Sequence, residues 1–358
     1  MIILAAILTL ALVACGDQSS GDPSSPGGTS GTVTDNSLTA QLTWLDANAQ
    51  SNSSYTLIAY KDETLNHVHD LSYDGKSNIT ITLKGNGAMR TISLLYMFYM
   101  FYVDTGVTLI LDSNITLKGQ TNWTTLSPVI IVANGGTLIM NSGTVITGGS
   151  RGASLNGTFT MNGGTITGNE ASGQSGVGVF VGAGNFTMNG GAITKNNGAL
   201  GSASFNLGGG VCVDTGTFTM NGGEISGNSI GYNGGGVYVN TGTFTLNDGS
   251  IIDNNGGIDG GGVYVSRNYG TFTMKGGTIS HNTAIYEGGG VYMDNLGSTI
   301  GTFTKTGGTI TGYGDDTVNG NRAGSGHAAY AGYNRRDNTA GPSVNMDSRV
   351  DGSAGGWE

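Results

Sequence analysis

The stretch GGGVYVNTGTFTLNDGSIIDN, residues Gly234–Asn254, is repeated with small changes on either side of itself. The copy that begins at Gly208 reads GGGVCVDTGTFTMNGGEISGN, and the copy that begins at Gly260 reads GGGVYVSRNYGTFTMKGGTISHN. The Phe of this phrase recurs every 26 to 32 residues from Phe159 to Phe303. Degenerate earlier versions extend the series to about nine repeats, a pattern that indicates a solenoid of stacked turns.

Each repeat contains three short segments rich in β-forming residues, GGVYV, GTFTM and GTISGN, separated by Gly and Asn. Side chains alternate between the two faces of a strand, so both Val residues of VYV share a face, as do Phe and Met of TFTM. Three strands and three turns per repeat describe one coil of a parallel β-helix. The sequence therefore predicts an all-β fold, a right-handed parallel β-helix of about nine coils with an N-terminal amphipathic helix as its cap.

An Asn residue ends the third segment of five repeats. Stacked Asn amides can hydrogen-bond along a rod, and Asn tolerates the left-handed backbone conformation of tight turns. We interpret this column as a structural ladder rather than a ligand site. Its members are Asn169, Asn196, Asn228, Asn254 and Asn282.

The composition limits the partners. The chain of 358 residues has 67 Gly, only 14 Lys and Arg, and a formal net charge of −10. The basic residues are scattered singly, so a nucleic-acid partner is not expected, because phosphate binding needs clustered basic residues.

The first residues, MIILAAILTLALVAC, form an apolar run that ends in Cys15. A run of about 13 apolar residues is too short to span a bilayer and is typical of an export signal. LVAC, residues 12–15, resembles the lipobox of bacterial lipoproteins, whose Cys thiol is acylated by diacylglycerol. We expect a lipoprotein signal peptide at 1–14, lipidation of Cys15, and a flexible Gly/Ser/Pro tether at 15–36. The protein would then be anchored to a bacterial membrane by its N-terminal lipid, in the periplasm or on the cell surface.

A stacked rod needs a cap at each end. Leu38, Leu42, Leu45 and Ala49 fall on one helical face behind Ser37 as N-cap, so residues 37–60 are predicted to form a cap helix and the first strand. Residues 61–325 are predicted to form the β-helix repeats, and residues 326–358 the last rung and the C-terminal cap.

The whole pattern resembles the repeat-rich right-handed parallel β-helix surface lipoproteins of spirochaetes, Treponema-like ones above all. The stretches that carry the resemblance are LVAC, SLTAQLTWLDANA, NITITLKG, GTFTMNGGTITGN, GGGVYV and the closing GSAGGWE. The resemblance implies a largely uncharacterised, adhesin-like protein of the outer membrane surface or periplasm, and it supplies no catalytic residues.

One outward column is aromatic. The middle residue of each VYV segment should point away from the core if the flanking Val residues point inward. An exposed row of rings suits a sugar or a protein partner, whereas mutual stacking or cover from a neighbouring loop would give the row a structural role. The candidate ligand-binding residues of this column are Phe180, Tyr238, Tyr264, Tyr292 and Tyr330.

A second column is mostly acidic. Asp253 and His281 occupy the same place in adjacent repeats, and Asp259 and Glu287 share another. We expect all four within reach of one another, and paired carboxylates about 5–9 Å apart are what glycoside hydrolysis requires. Against a catalytic site, no Lys or Arg cluster accompanies them to bind a uronate.

Two further patterns have a chemical interpretation. Thr residues flank the repeated Phe as T-x-T rows, which resemble the ice-binding faces of β-helical antifreeze proteins, although Thr is also a common outward strand residue. GYGDDTV, residues 312–318, partly matches a Ca²⁺-binding repeat and makes Asp315 and Asp316 candidate ligands, but that type of site needs tandem copies. No cofactor is otherwise expected.

The sequence favours a non-enzymatic, lipid-anchored extracytoplasmic protein that binds host protein or glycan in surface adhesion. The alternative is a polysaccharide lyase or glycoside hydrolase of the parallel β-helix type, and ice binding is a weaker alternative.

Overall fold

The computed structural model describes residues 30–32, 36–96, 98–120, 126–199, 206–295, 300–312, 320–326 and 328–331. Successive strands enter three parallel sheets, A, B and C, in turn. Among the described residues, sheet A has eleven strands and sheets B and C have ten each, which makes about nine turns of a right-handed parallel β-helix. The predicted fold class is confirmed.

In sheet A the strands shorten along the chain, from seven residues in its second and third strands to four in the later coils, whereas strands of sheets B and C have two to five residues throughout. Sheet A comprises β1 (Ser30–Thr32), β2 (Ser53–Ala59), β5 (Ile79–Gly85), β8 (Val107–Leu111), β11 (Thr137–Met140), β14 (Thr158–Met161), β18 (Asn185–Met188), β22 (Thr217–Met220), β26 (Thr243–Leu246), β29 (Thr271–Met274) and β32 (Thr302–Lys305). Sheet B comprises β3 (Glu63–Leu65), β6 (Arg90–Leu94), β9 (Ile115–Lys118), β12 (Thr144–Thr147), β15 (Thr165–Thr167), β19 (Ala192–Thr194), β23 (Glu224–Ser226), β27 (Ser250–Ile252), β30 (Thr278–Ser280) and β33 (Thr309–Ile310). Sheet C comprises β4 (His69–Leu71), β7 (Phe101–Val103), β10 (Pro128–Val132), β13 (Arg151–Leu155), β17 (Val179–Val181), β21 (Val211–Val213), β25 (Val237–Val239), β28 (Val263–Val265), β31 (Val291–Met293) and β34 (Ala329–Ala331).

A small fourth sheet, D, lies between sheets B and C in the later coils. Isolated parallel bridges through Asn255, Thr283 and Arg322 continue it along the rod. Its strands are β16 (Glu170–Ser172), β20 (Asn197–Ala199) and β24 (Ser229–Ile230).

Like residues stack upon like inside the rod. In one coil Val237, Phe244 and Ile251 are fully buried, as their alternation in the sequence predicts. The Phe rings of adjacent coils lie 4.7 to 4.9 Å apart between centroids and within 6 to 11° of parallel. The stacked side chains are Phe159, Phe186, Phe218, Phe244, Phe272 and Phe303.

The predicted Asn ladder is confirmed as a buried structural column. The Asn228 side chain donates from Nδ2 to Asn254 Oδ1 (3.0 Å) and to the Ile193 carbonyl oxygen (2.9 Å), and its backbone N–H donates to the same Asn254 Oδ1 (3.0 Å). A sixth member, Asn321, accepts from Asn282 Nδ2 at 2.9 Å. The insertion before Asn321 hid it from the repeat spacing.

The N-terminal cap helix α1 (Leu38–Asn48) also forms as predicted. Ser37 is its N-cap, and the predicted apolar face is buried. Glu63 of β3 accepts hydrogen bonds from the Leu38 and Thr39 N–H groups (both 3.0 Å), so a carboxylate occupies the positive end of the helix dipole. No helix in the described part of the chain has the length and apolar character needed to cross a membrane.

The predicted tether extends too far. Ser30–Thr32 form strand β1, which pairs in parallel with Ser54–Thr56 of β2 and therefore belongs to the rod. The Gly/Ser composition of residues 15–36 concealed this strand, because a backbone ladder requires no apolar side chains.

Candidate functional site

The aromatic column on the outer side of sheet C is in register, but most of it is not exposed. Cys212, Tyr238, Tyr264, Tyr292 and Tyr330 are partners in successive strands, and the Tyr ring centroids are 4.9 to 5.8 Å apart. Tyr238, Tyr264 and Tyr292 are only 7, 6 and 3% exposed, while Phe180 and Tyr330 are half-buried. The expectation of a solvent-facing row of rings is wrong for these three tyrosines.

The glycine triplets explain the cover. The first glycine of each triplet adopts positive φ, 74° at Gly234 and 64° at Gly260, which brings the chain back against the Cα and Cβ atoms of the Tyr that follows. A Cβ on Gly234 would lie 2.9 Å from Tyr238 Cβ, and one on Gly260 would lie 2.8 Å from Tyr264 Cβ. Only glycine fits this approach. GGG before VYV was the sequence signal for a buried ring.

Polar groups beneath this cover are paired or neutral. Tyr264 donates its hydroxyl to Asp294 Oδ2 (3.0 Å), and Arg151 donates from Nε to the Ser175 carbonyl oxygen (2.7 Å). Burial raises the pKa of Cys212 to about 12, so the thiol is protonated and unreactive at neutral pH. The covered column stabilises the rod and offers no contact to a ligand along its middle.

The two predicted pairs of this second column each align in adjacent coils. Asp259 and Glu287 form a parallel bridge, and Ile252 pairs with Ser280, which brings Asp253 and His281 to the same turn of adjacent coils. Asp253 and His281 both adopt left-handed φ, 57° and 58°, at the corner before the Asn ladder.

Two carboxylates act on Asp259: Glu287, which the sequence placed beside it, and Asp294, which the sequence analysis did not include. Burial, and then the negative charge of Glu287, raises the pKa of Asp259 to about 6. Its Oδ1 accepts the Glu287 backbone N–H (3.1 Å), so this carboxylate also joins two coils. Asp294 follows β31 at the place that Asp214 occupies after β21, and the sequence analysis did not single out this position.

Sheet A presents an outer surface of uniform composition, which we call the threonine face. From β8 to β32 its outward positions contain only Thr, Ile and Asn, and each row is in register from strand to strand. The face comprises Thr108, Ile110, Thr137, Ile139, Thr158, Thr160, Asn185, Thr187, Thr217, Thr219, Thr243, Thr245, Thr271, Thr273, Thr302 and Thr304.

A second amide ladder borders the threonine face and was not predicted. Each Asn after the first donates from Nδ2 to the Oδ1 of the Asn one coil earlier, at 2.8 to 3.2 Å, and the first, Asn141, donates to Asp112 Oδ1 at 3.4 Å. NGG and NDG after TFTM or TFTL were the available signals. Its members, half-buried or exposed, are Asn141, Asn162, Asn189, Asn221 and Asn247.

Two predicted sites lie outside the described residues: lipidation of Cys15, and Ca²⁺ binding by Asp315 and Asp316. Within the described ranges no three His, Cys, Asp or Glu side chains are grouped to hold a metal ion.

Comparison with known proteins adds no relative: no family model, no curated protein and no solved structure matches the chain. Function therefore rests on the geometry of the chain's own surfaces.

Proposed function

We propose that this protein is a lipid-anchored, extracytoplasmic binding scaffold without catalytic activity, which adheres to a host glycan or protein through the threonine face. The observation that carries the proposal is the chemistry of that face. The eight strands of sheet A from β8 to β32 present hydroxyl, amide and aliphatic groups at their outward positions, and no charged side chain. Hydroxyl groups both donate and accept hydrogen bonds, which suits the hydroxyl-rich surface of a neutral glycan.

Rigidity supports the same proposal. The threonine face lies on the stacked Phe rings and is bordered by the half-exposed Asn ladder, so its groups are held in place before a ligand arrives. A preorganised surface loses little conformational entropy on binding. The net charge of −10 disfavours sulfated or uronate-rich glycans and favours neutral ones.

Binding is tested on a glycan array and a panel of matrix proteins. The double variant Thr219→Lys/Thr273→Lys places two charges in the middle of the face, two coils apart, and we expect about a tenfold loss of binding or more. The matched control Thr167→Lys/Ser250→Lys adds the same charges to the outer side of sheet B and should bind as the parent chain does. Equal loss in both variants, or no ligand on either panel, would contradict the proposal.

Anchoring is tested separately by metabolic labelling with palmitate in a bacterial host. The parent chain and Cys212→Ser should incorporate the label, and Cys15→Ser should not. Labelling of Cys15→Ser would contradict lipidation at that residue.

A second candidate is polysaccharide cleavage, favoured by the raised pKa of Asp259, about 6, beside Glu287 on the adjacent coil. A protonated carboxyl beside a second carboxylate is the arrangement used by glycosidases. Incubation with pectin, alginate and glycosaminoglycans tests it. Cleavage that persists unchanged in Asp259→Asn and in Glu287→Gln would remove this pair from the reaction.

Ice binding is a third candidate, favoured by the strict register of the Thr rows from β22 to β32. Thermal hysteresis of the parent chain that is absent from Thr219→Lys/Thr273→Lys would support it. Absence of hysteresis in the parent chain would exclude it.

A further inference from the structure

One edge of the rod carries most of the large apolar side chains that water can reach. Nine such side chains are exposed among the described residues, and six of them lie between a strand of sheet B and the next strand of sheet C. Soluble surfaces rarely gather apolar groups in this way without a partner. We call these six the apolar edge: Leu95 (48% exposed), Tyr96 (54%), Phe98 (59%), Leu126 (47%), Ile285 (63%) and Tyr286 (61%).

The apolar edge lies across the core from the threonine face. Every coil runs from sheet A to sheet B, then to sheet C, and back to sheet A. The connections from A to B and from C to A therefore border sheet A, and the connection from B to C is the one that does not. The most apolar and the most uniformly polar surfaces are thus on opposite sides.

Backbone hydrogen bonds between coils hold the edge in place. The Leu95 N–H donates to the Leu65 carbonyl oxygen (2.9 Å) in the previous coil, and the Tyr286 N–H donates to the Ile258 carbonyl oxygen (3.0 Å). The Ile258 N–H in turn donates to the Tyr232 carbonyl oxygen (2.7 Å). The exposed side chains therefore stand on ordered backbone.

Charge is scarce along the N-terminal part of the edge. The sequence contains no Asp, Glu, Lys or Arg between Arg90 and Asp104, and none between Lys118 and Arg151. At the other end, the half-buried Glu287 directly follows Tyr286. A strongly basic or acidic protein partner therefore has little to pair with at the N-terminal part of the edge, whereas Glu170, Lys195, Asp253 and Asp259 lie on the B-to-C connections between its two ends.

We propose that the apolar edge rests in the interface of a zwitterionic lipid bilayer, with the rod lying on its side. Tyr and Phe side chains favour this interface, where an apolar ring meets water at its rim. The two ends of the edge are seven coils apart, about 34 Å at the spacing of β-strands. Contact at both ends would therefore hold the rod parallel to the membrane.

The start of the rod favours the bilayer over another occupant. Strand β1 begins at Ser30, fifteen residues after Cys15, and fifteen extended residues span at most about 50 Å. A lipid on Cys15 would keep the start of the rod within that distance of the membrane and raise the effective concentration of the edge there. This step rests on the proposed lipid anchor, but insertion of the edge does not.

The bilayer contact predicts an orientation for the proposed binding function. With the apolar edge on the membrane, the threonine face points away from the membrane surface. The face would then be presented along its full length to a ligand in the surrounding medium.

The test uses the full chain with Cys15→Ser, which cannot be acylated, and vesicles of phosphatidylcholine. An environment-sensitive fluorophore is attached at Phe98→Cys or Ile285→Cys on the edge, at Thr245→Cys on the threonine face, or at Tyr269→Cys. Tyr269 is a good control because it is 66% exposed but lies between sheets C and A. Spin-labelled lipids should quench positions 98 and 285 several-fold more than positions 245 and 269.

Vesicle binding supplies a second measurement. Replacing Leu95, Tyr96, Phe98, Ile285 and Tyr286 by Ser should lower sedimentation with vesicles about tenfold. The matched variant Met89→Ser/Tyr269→Ser should not lower it. Phosphatidylglycerol vesicles should bind more weakly than phosphatidylcholine, because Asp259 and Glu287 stand next to the edge.

Three outcomes would overturn the proposal. The first is a vesicle-bound chain in which positions 98 and 285 are not quenched. The second is a blue-shifted fluorophore at these positions before vesicles are added, which would mean that a segment of this chain or a second copy covers the edge. The third is a chain that does not bind vesicles at all. None of these outcomes bears on palmitate labelling at Cys15 or on glycan binding by the threonine face, so the proposals fail separately.

Discussion

The coils between Ser53 and Thr147 and the coils between Thr158 and Lys305 build the same three-sheet cross-section with different side chains. The early coils use strands of up to seven residues and an aliphatic core, with Ile81 and Leu109 at the position later occupied by Phe. The later coils use strands of two to four residues, a Phe stack, a buried amide ladder and an outer aromatic column.

The difference shows two ways of stabilising a coil. Long strands bury aliphatic groups and form their backbone hydrogen bonds within the sheets. Their core positions therefore tolerate varied apolar side chains. Short strands leave more turns, and those turns need specific residues: Asn to pair with buried backbone groups, and Gly to adopt positive φ. We therefore expect the later coils to be more sensitive to single substitutions at turns.

The largest effect is expected from Asn254→Ala. Asn254 Oδ1 accepts from two atoms of Asn228, and its Nδ2 donates to the Ile225 carbonyl oxygen. Loss of the amide leaves several buried polar groups unpaired at about 1–3 kcal/mol each, so the free energy of unfolding should fall by about 4–6 kcal/mol. Asn247→Ala, in the outer ladder of the same coil, should cost about 1 kcal/mol or less. Urea unfolding measures both, and similar losses would remove the distinction between the ladders.

Phe244→Ala should lower the free energy of unfolding by about 3–5 kcal/mol, because the ring is fully buried between two others. Ring stacking adds a pairwise term that aliphatic packing lacks. A double-mutant cycle of Phe244→Ala with Phe272→Ala should give a coupling of about 1 kcal/mol. The equivalent cycle of Leu83→Ala with Leu111→Ala in the early coils should give less, and an equal or larger coupling there would contradict the comparison.

Gly234→Ala is expected to cost about 2–3 kcal/mol. The new Cβ would meet the Val237 carbonyl oxygen at 2.7 Å and Tyr238 Cβ at 2.9 Å, at a residue with φ 74°. Gly75 in an early coil has nearly the same φ, 69°, but nothing within 4 Å of a Cβ, so Gly75→Ala isolates the backbone strain at about 1 kcal/mol. Chemical denaturation compares them, and equal costs would show that close contact over the ring is unimportant.

The smallest effects are expected from pH, with opposite signs in the two regions. Burial lowers the pKa of His69 in β4 to about 4, so the folded state binds fewer protons than the unfolded chain, and stability is lost as pH falls from about 6.5 to 4. The pKa of Asp259 is raised to about 6, so its contribution is lost as pH rises from about 4 to 6. The effect of Asp259 is about 1 kcal/mol, because its partly exposed charge is screened. The effect of the buried His69, whose pKa is lowered from 6.5 to about 4, is about 2 kcal/mol between pH 7 and pH 4.5.

Unfolding in urea at pH 4.5 and pH 7 measures these effects in matched variants. His69→Leu should remove the loss on acidification, whereas His67→Leu, at an exposed position, should retain it. Asp259→Asn should remove the opposite trend, and Asp253→Asn should not. A pH dependence that is unchanged in both His69→Leu and Asp259→Asn would contradict these assignments.

The sequence repeat predicts which side chains are buried in the core and which residues pair between coils. Burial depends on the alternation of apolar residues along a strand, and pairing depends on the period of the repeat. Val237, Phe244, Ile251 and the Asn ladder were placed correctly by these two properties alone. The cap helix followed from a 3.6-residue apolar period and a Ser N-cap.

What the sequence did not predict depends on contacts between coils outside the main core. Whether Tyr264 is exposed is decided by the chain that folds back over it at Gly260, and alternation within VYV says nothing about that cover. The negative charge of Asp294 raises the pKa of Asp259, although the two residues are 35 positions apart in the sequence and lie at different corners of the coil. The strand Ser30–Thr32 has no apolar pattern, so only its pairing with β2 identifies it.

The buried Asn ladder has a consequence for how such a rod changes in evolution. Each Asn side chain forms its inter-coil hydrogen bonds with the coil before it and the coil after it. The same atoms are used at every step, and the Nδ2 to Oδ1 distance is 2.9 to 3.0 Å throughout. Removal of Gly234–Asp259 from the gene would join Asn233 to Gly260 and set Asn228 directly against Asn282, with every ladder continuous. Recombination between repeats can therefore lengthen or shorten this protein in whole-coil steps of about 4.8 Å, and each intermediate length keeps a complete core.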